Sequence, residues 1–173
     1  MVDPSGMPPI PALVPHTRLI LESYKRLLGR DLLPSGTFPS PDPMTASVLG
    51  TDTDPVSLAR TLFEAPFVLA TADTSPDPVL NYGNRRALEL WEMTWAEFTS
   101  LPGRRTAEAP EREARDRFLE AVRKNGFVTD YSGVRITKSG RRFRIRSATV
   151  WNLNAPDGLH LGQAAMFREW ERL

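Results

Sequence analysis

The chain has 173 residues, 40% hydrophobic and 25% charged, the composition of one ordinary globular domain able to bury roughly 70% of its unfolded surface. Its 22 basic and 21 acidic residues leave a formal net charge of +1, so no bulk field draws it to nucleic acid or a membrane surface. The lack of cysteine excludes a disulfide framework, a thiolate nucleophile and a thiolate metal site. No basic-then-apolar leader and no apolar run of about 18 residues is visible, so a cytoplasmic location is expected.

In chain order, residues 1–15 are Pro-rich and read as a disordered tail. Residues 16–33 read as an amphipathic helix with a stripe of Leu19, Ile20, Tyr24, Leu27 and Leu28, and Gly29 as its C-terminal stop. That stripe needs a partner, either the outer face of a sheet or a second subunit. Residues 34–54 are rich in Pro, Ser, Thr and Gly and read as a linker, which leaves 55–173 as the domain proper. Asp54 as N-cap and Pro55 at the first helical position open a short helix that ends before Pro66. Two short strands, FVLATA at 67–72 and VLNY at 79–82, flank a turn with two prolines. Asn84 caps a helix carrying Leu88 and Trp91. Thr94 and Glu97 form a capping box for another, which carries Phe98 and stops at Pro102-Gly103. Pro110 opens a longer helix with an expected inner side of Ala114, Phe118, Ala121 and Val122, ended by Asn125-Gly126.

Residues 128–168 read as a meander of three antiparallel strands. Val134 and Ile136 alternate with Arg135 and Thr137, and Phe143 and Ile145 with Arg144 and Arg146, a period of two. If Ser139-Gly140 alone forms the hairpin loop, Ile136 faces Phe143 and Val134 faces Ile145, so all four share one face and Arg135 meets Arg144. Like charges opposite one another are destabilising unless an anion lies between them. A second turn at 155–158 returns the chain as LHLGQAAMF.

The blocks SYKRLLGRDLL, LFEAPF, NYGNRRALELWEMTWAEFTSLPGR, DYSGVRITKSGRRFRI and ATVWNL, in this order, resemble the MEKHLA domain family, a PAS-related group found as stand-alone bacterial proteins and at the C-terminus of plant homeodomain-leucine zipper factors. The resemblance implies an α+β fold: a PAS-like five-stranded antiparallel sheet with short helices over one face, preceded by an N-terminal helix. In flavin-binding light sensors of this fold a cysteine forms the photoadduct, and Thr106 stands at the matching position here. A flavin-reading glutamine is matched by Phe167, with Gln163 four residues earlier, and two flavin-contacting asparagines by Arg135 and Ile145. These departures imply a colourless protein without flavin. The same resemblance widens the hairpin turn by two, pairs Arg135 with Ile145 and aims Arg135 into the pocket.

His16 and His160, the only histidines, read as surface residues flanking predicted elements, so neither haem nor a metal site is expected. No nucleophile elbow, phosphate loop or zinc-protease motif occurs. Glu108, Glu111, Glu113, Asp116 and Glu120 share a helix region with arginines and read as solvated pairs, and Asp130 beside Tyr131 reads as a strand start near a pocket mouth. Arg135, Lys138, Arg141, Arg142, Arg144 and Arg146 crowd one hairpin. They either hold a carboxylate or phosphate or form a solvated face paired with acids of the N-terminal helix such as Glu22. The aromatic residues either fill a core or line a pocket.

The function expected is a non-catalytic sensory or protein-interaction domain. Trp91, Phe118, Tyr131, Arg135, Phe143 and Phe167 are the candidate site for a small or anionic ligand, with no cofactor, nucleic acid or membrane partner. A homodimer paired through the N-terminal helix is expected from the PAS resemblance. A pure homodimerisation module with a filled core is the alternative, and a small α+β enzyme a third.

Overall fold

A computed structural model describes residues 6–33 and 54–173. Of the expected tail, residues 1–5 lie outside the described residues, and a 3-10 turn at Ile10–Leu13 leads into helix α1, Val14–Leu28. Pro15 sits in the first turn of α1, where its missing N–H costs nothing, so the proline that reads as tail belongs to a helix start. Gly29, left-handed at φ 70°, ends α1 as expected. Of the linker, 34–53 lie outside the described residues. Asp54 accepts from the Ser57 N–H and caps α2, Pro55–Phe63.

Strands β1 (Val68–Ala72) and β2 (Leu80–Gly83) are followed by α3 (Arg85–Trp91), α4 (Trp95–Phe98), a 3-10 turn at Gly103–Thr106 and α5 (Ala109–Asn125). Then come β3 (Phe127–Ile136), β4 (Arg142–Asn154), β5 (His160–Phe167) and β6 (Glu169–Arg172). The Asn84 cap and the Thr94–Glu97 capping box both form, and a left-handed Gly126 closes α5. The sheet is antiparallel, ordered β2-β1-β5-β4-β3. Beyond the five strands expected, β6 extends β5 along the first half of β4, in register from Thr149↔Met166 to Arg146↔Glu169.

The β3–β4 hairpin differs from both sequence registers. Arg135 pairs with Phe143, Gly133 with Ile145, and Val134 with Arg144. The loop holds three residues, Lys138-Ser139-Gly140, closed by Thr137 N–H to Arg141 O (2.9 Å) and Gly140 N–H to Thr137 O (3.0 Å), with Gly140 at φ 86°. A type I turn ended by a left-handed glycine is a common three-residue solution. It moves the register by one residue, so Val134 and Ile136 share the face of Arg144 and Arg142, while Arg135 shares that of Phe143 and Ile145. Two bulges, at left-handed Asp130 (φ 61°) and Ser147 (φ 47°), then reverse the facing parity along each strand. Asp130 is thus an exposed bulge residue.

The two faces of the sheet are covered differently. On the outer face Leu69, Tyr82, Trp151 and Leu153 form one core with Ile20 and Tyr24 of α1 and Leu62 and Phe63 of α2. Tyr24 meets Trp151 edge-on at 5.0 Å, and the Ser23 hydroxyl bonds both N and O of Asn154. Of the two partners open to the α1 stripe, the outer face of its own sheet takes it. The buried positions are Thr17, Ile20, Ser23 and Tyr24, with Leu19, Leu27 and Leu28 only half-buried. On the inner face α3, α4 and α5 arch over the strands, and a smaller core of Val68, Leu80, Ala87, Trp91, Phe98, Phe143, Ile145 and Phe167 fills one end. No helix among the described residues is long and apolar enough to cross a membrane.

Candidate functional site

The inner face does not fill. A cavity of about 680 Å³ remains between the helices and the strands, within the roughly 300–1,000 Å³ common for small-molecule sites. Its floor explains it: the strand positions facing the helices include Ala70, Ala72, Ala148 and Ala165, whose short side chains leave space beneath the helices. Trp91, Phe98, Thr106, Arg115, Phe118 and Leu119 supply that roof, and Tyr131, Arg135, Ile145, Val150, Gln163 and Phe167 complete the walls.

Five of the six candidate residues, Trp91, Phe118, Tyr131, Arg135 and Phe167, line this one cavity. Phe143 does not. It is 1% exposed and lies against Trp91 at a ring distance of 5.3 Å, within the packed cluster that fills the other end of the inner face. Phe118 stacks on Tyr131 at 4.0 Å and belongs to the arginine end of the cavity, separate from the cluster that Trp91 forms with Phe143 and Phe167.

Arg135 is 7% exposed. Its Nη2 donates to the Tyr131 hydroxyl (2.9 Å) and its Nη1 to the Val134 carbonyl (2.8 Å). Gly133 makes room for this arrangement, because a Cβ there would lie 2.5 Å from the Tyr131 hydroxyl. The other basic residues of the hairpin have found acids, though not those of the N-terminal helix. Lys138 pairs with Glu97 (2.6 Å), Arg141 with Glu92 (3.3 Å) and Arg142 with Glu108 (3.1 Å). Arg144 (3.1 Å) and Arg146 (2.6 Å) share Glu171. Arg144 and Arg135 therefore do not oppose each other: they occupy different faces.

Arg115 also lines the cavity, a place its residue type does not announce. Helix α5 is rotated from its expected phase, so Ala114 is exposed and Arg115, Phe118, Leu119 and Val122 face inward. The spacing 115-118-119-122 is itself a helical stripe, with an arginine where an apolar residue ordinarily stands. Desolvation, followed by the charge of Arg135, pulls the Arg115 guanidinium down to about 10 from its usual value above 12. The solvated pairs lie on the rest of the helix, Glu113 with Arg117 at 3.2 Å and Glu120 with Arg123 at 2.8 Å.

Neither histidine is a plain surface residue. His160 lines the cavity with Nδ1 3.0 Å from Asn154 Oδ1, and burial, then the charge of Arg123, holds its pKa below the ordinary value. His16 lies inside α1 on the outer face, its Nε2 2.8 Å from Thr71 Oγ1, and burial lowers it to about 4. Among the described residues no group of three or more metal-ligating side chains comes together.

The sequence profile of the MEKHLA domain matches residues 14–172. No curated protein matches the chain. Solved structures with the same fold include the PAS domain of a protein from Colwellia psychrerythraea, with TM-score 0.58 and 12% identity over 68% of this chain and 94% of that one. A light-oxygen-voltage domain described with a flavin analogue gives 0.53 and 18% over 68% and 84%. A fungal light-oxygen-voltage photoreceptor gives 0.50 and 19% over 99% and 95%. At these identities the likeness is one of fold. Thr106, Arg135, Ile145 and Phe167, the four positions at which the sequence departs from flavin sensors, all line the cavity, so the departures fall in the pocket itself. A flavin edge needs hydrogen-bonding side chains along the sheet, and Ile145 and Phe167 offer none. The Thr106 hydroxyl is committed to the Gly103 carbonyl (2.7 Å). The residues present do not fit flavin photochemistry.

Proposed function

The chain belongs to the MEKHLA domain family, a PAS-related fold, and on that premise we propose that it is a non-catalytic sensory domain that binds a small molecule in the cup between helices and sheet. The cavity carries this reading. A dimerisation module with a filled core has no use for four inward alanines beneath an arch of helices, whereas a ligand site combines such space with apolar walls and a few polar groups. Occupancy has a direct route outward. The roof residues Arg115, Phe118 and Leu119 sit on α5, and Asn152 Nδ2 ties the end of that helix to β4 through the Val122 (3.2 Å) and Arg123 (2.9 Å) carbonyls. Gln163 adds a bond from β5 to the Leu119 carbonyl (2.8 Å). A ligand that shifts α5 therefore pulls on the sheet, and the outer face of that sheet carries α1.

Mass spectrometry of the purified chain, native and after solvent denaturation, tests the proposal. Release of a small molecule supports it, as does a change in tryptophan fluorescence when a metabolite library is added to the empty chain. A chain that carries nothing, and whose fluorescence ignores the library, overturns it in favour of a plain interaction module.

A further inference from the structure

We infer that the ligand of the cup is an organic oxyanion, a carboxylate or phosphate ester on an apolar body, held between the guanidinium groups of Arg115 on α5 and Arg135 on β3. This rests on the cup being a ligand site and adds the chemical class. The arginine end of the cavity is rich in hydrogen-bond donors. Arg135 has no carboxylate partner among the described residues, and its bonds to Tyr131 and Val134 leave three of its five N–H groups unassigned. Among the described residues Arg115, with its side chain 11% exposed, touches one acid, its helix neighbour Asp116, at 3.3 Å, and that carboxylate is 61% exposed. The Tyr131 hydroxyl accepts from Arg135, so its own proton is left to give. Trp91 lines the same cavity, and its buried indole N–H has no acceptor among the described residues.

The remaining acids of the lining are engaged. Asp73 accepts from Ser75 and Val79, Asp77 from Arg104 and Glu120 from Arg123. Two guanidinium ions in a largely desolvated cavity repel each other, and a buried cation without a counter-charge is costly. The depressed pKa of Arg115 has that origin, burial first and Arg135 second. An oxyanion placed between the two relieves the repulsion and takes up several donors at once, because guanidinium and carboxylate or phosphate match as two-pronged pairs. The rest of the cavity sets the body of the ligand: Ala70, Leu80, Phe98, Ile145, Val150 and Phe167 are apolar. An inorganic anion alone leaves that surface uncovered. Arg115 also fixes position, since a Cβ on Gly103 would lie 2.7 Å from its Nη2, so the guanidinium lies close against the backbone of the Gly103 turn.

The test is titration calorimetry on the full chain with matched pairs of probes that share one body, phenylacetate against phenylacetamide and indole-3-acetate against its amide, together with phenyl phosphate and inorganic phosphate. The acids or the phosphate ester are expected to bind, the amides and inorganic phosphate to bind far more weakly. Arg135→Ala and Arg115→Met are each expected to lose about thirtyfold or more in affinity for those anions, as for removal of one member of a buried charge pair. Arg135→Lys should recover little of it. Melting of the ligand-free variants separates binding from folding: removing one of two repelling cations should leave the midpoint unchanged or raised. If amides bind as tightly as acids, or both arginine variants bind acids like the parent, the oxyanion assignment falls and the cup remains a site for a neutral ligand. If no probe binds and the fluorescence ignores the metabolite library, the ligand-site reading falls and the oxyanion assignment with it.

Discussion

The two faces of one sheet have been put to different uses. Along β1, Leu69 and Thr71 point out while Val68, Ala70 and Ala72 point in, and along β5 Ala164 and Met166 point out while Gln163, Ala165 and Phe167 point in. Outside, large side chains meet large side chains: Trp151 and Tyr82 are both completely buried under the N-terminal helices. Inside, the short side chains of alanines leave open space beneath the helices. Strand geometry imposes the alternation, but the volume of each alternate residue decides whether a face becomes core or cavity. The outer face is also not fully satisfied. Thr17 Oγ1, the Tyr82 hydroxyl and Trp151 Nε1 are buried there without hydrogen-bond partners among the described residues. Apolar area and ring contacts hold this layer together, with few directional bonds.

Substitutions matched across the sheet can break this comparison. The largest effect is expected outside: Trp151→Ala should cost about 3–5 kcal/mol in urea unfolding, because a fully buried indole leaves a hole that α1 cannot close. A loss under about 1 kcal/mol would mean that α1 is not seated on the sheet in solution.

Acid should attack the same face. His16 has its folded pKa lowered by burial to about 4, so between pH 6.5 and 4 the unfolded chain binds the proton and the folded chain does not. Stability therefore falls as pH drops through that window, by roughly 3 kcal/mol across it. The Thr71 hydroxyl, which donates to Asn81 Oδ1, is placed to accept from His16 Nε2, so the neutral ring carries its proton there. His16→Asn should flatten the slope of unfolding free energy against pH between 6.5 and 4. A variant with the parent's slope would remove His16 as its cause.

On the inner face the expectation reverses. Ala165→Leu adds volume where there is space, so its stability should stay within about 1 kcal/mol of the parent, against the roughly 1–3 kcal/mol that overpacking costs in a filled core. The same change should abolish binding of any ligand that occupies the cup. A strongly destabilised variant would mean that this face too is packed.

The smallest effect belongs to the exposed arginines. Glu171→Gln removes the shared partner of Arg144 and Arg146, yet both pairs are about half in water, so the loss should be no more than about 1 kcal/mol and should shrink with added salt. A larger, salt-insensitive loss would show β6 to depend on that pair.

Much of this architecture is local and could be read along the chain. Asp54, Asn84 and the Thr94–Glu97 box cap helices because short polar side chains reach the free N–H groups of the first turn. Gly29 and Gly126 end helices because they adopt positive φ without strain. Those motifs lie within a few residues, so sequence alone determined them, along with five of the six strands and the antiparallel α+β class. Tertiary structure decided the facing. The hairpin register rests on Glu92 at the end of α3, whose carboxylate accepts from Ser139 N–H (3.1 Å) and Thr137 Oγ1 (3.0 Å), while Lys138 N–H reaches the Trp91 carbonyl (3.1 Å). Those partners lie more than 40 residues away in sequence, and a shift of one residue moves Arg135 from one face to the other. The phase of α5 was likewise fixed by contact, because Ala114 and Arg115 both fit a helical stripe and only the roof of the cup selects between them. Whether aromatic residues make a core or line a pocket depends on the residues opposite them. The alanines of β1, β4 and β5 meet that roof only once the sheet has formed.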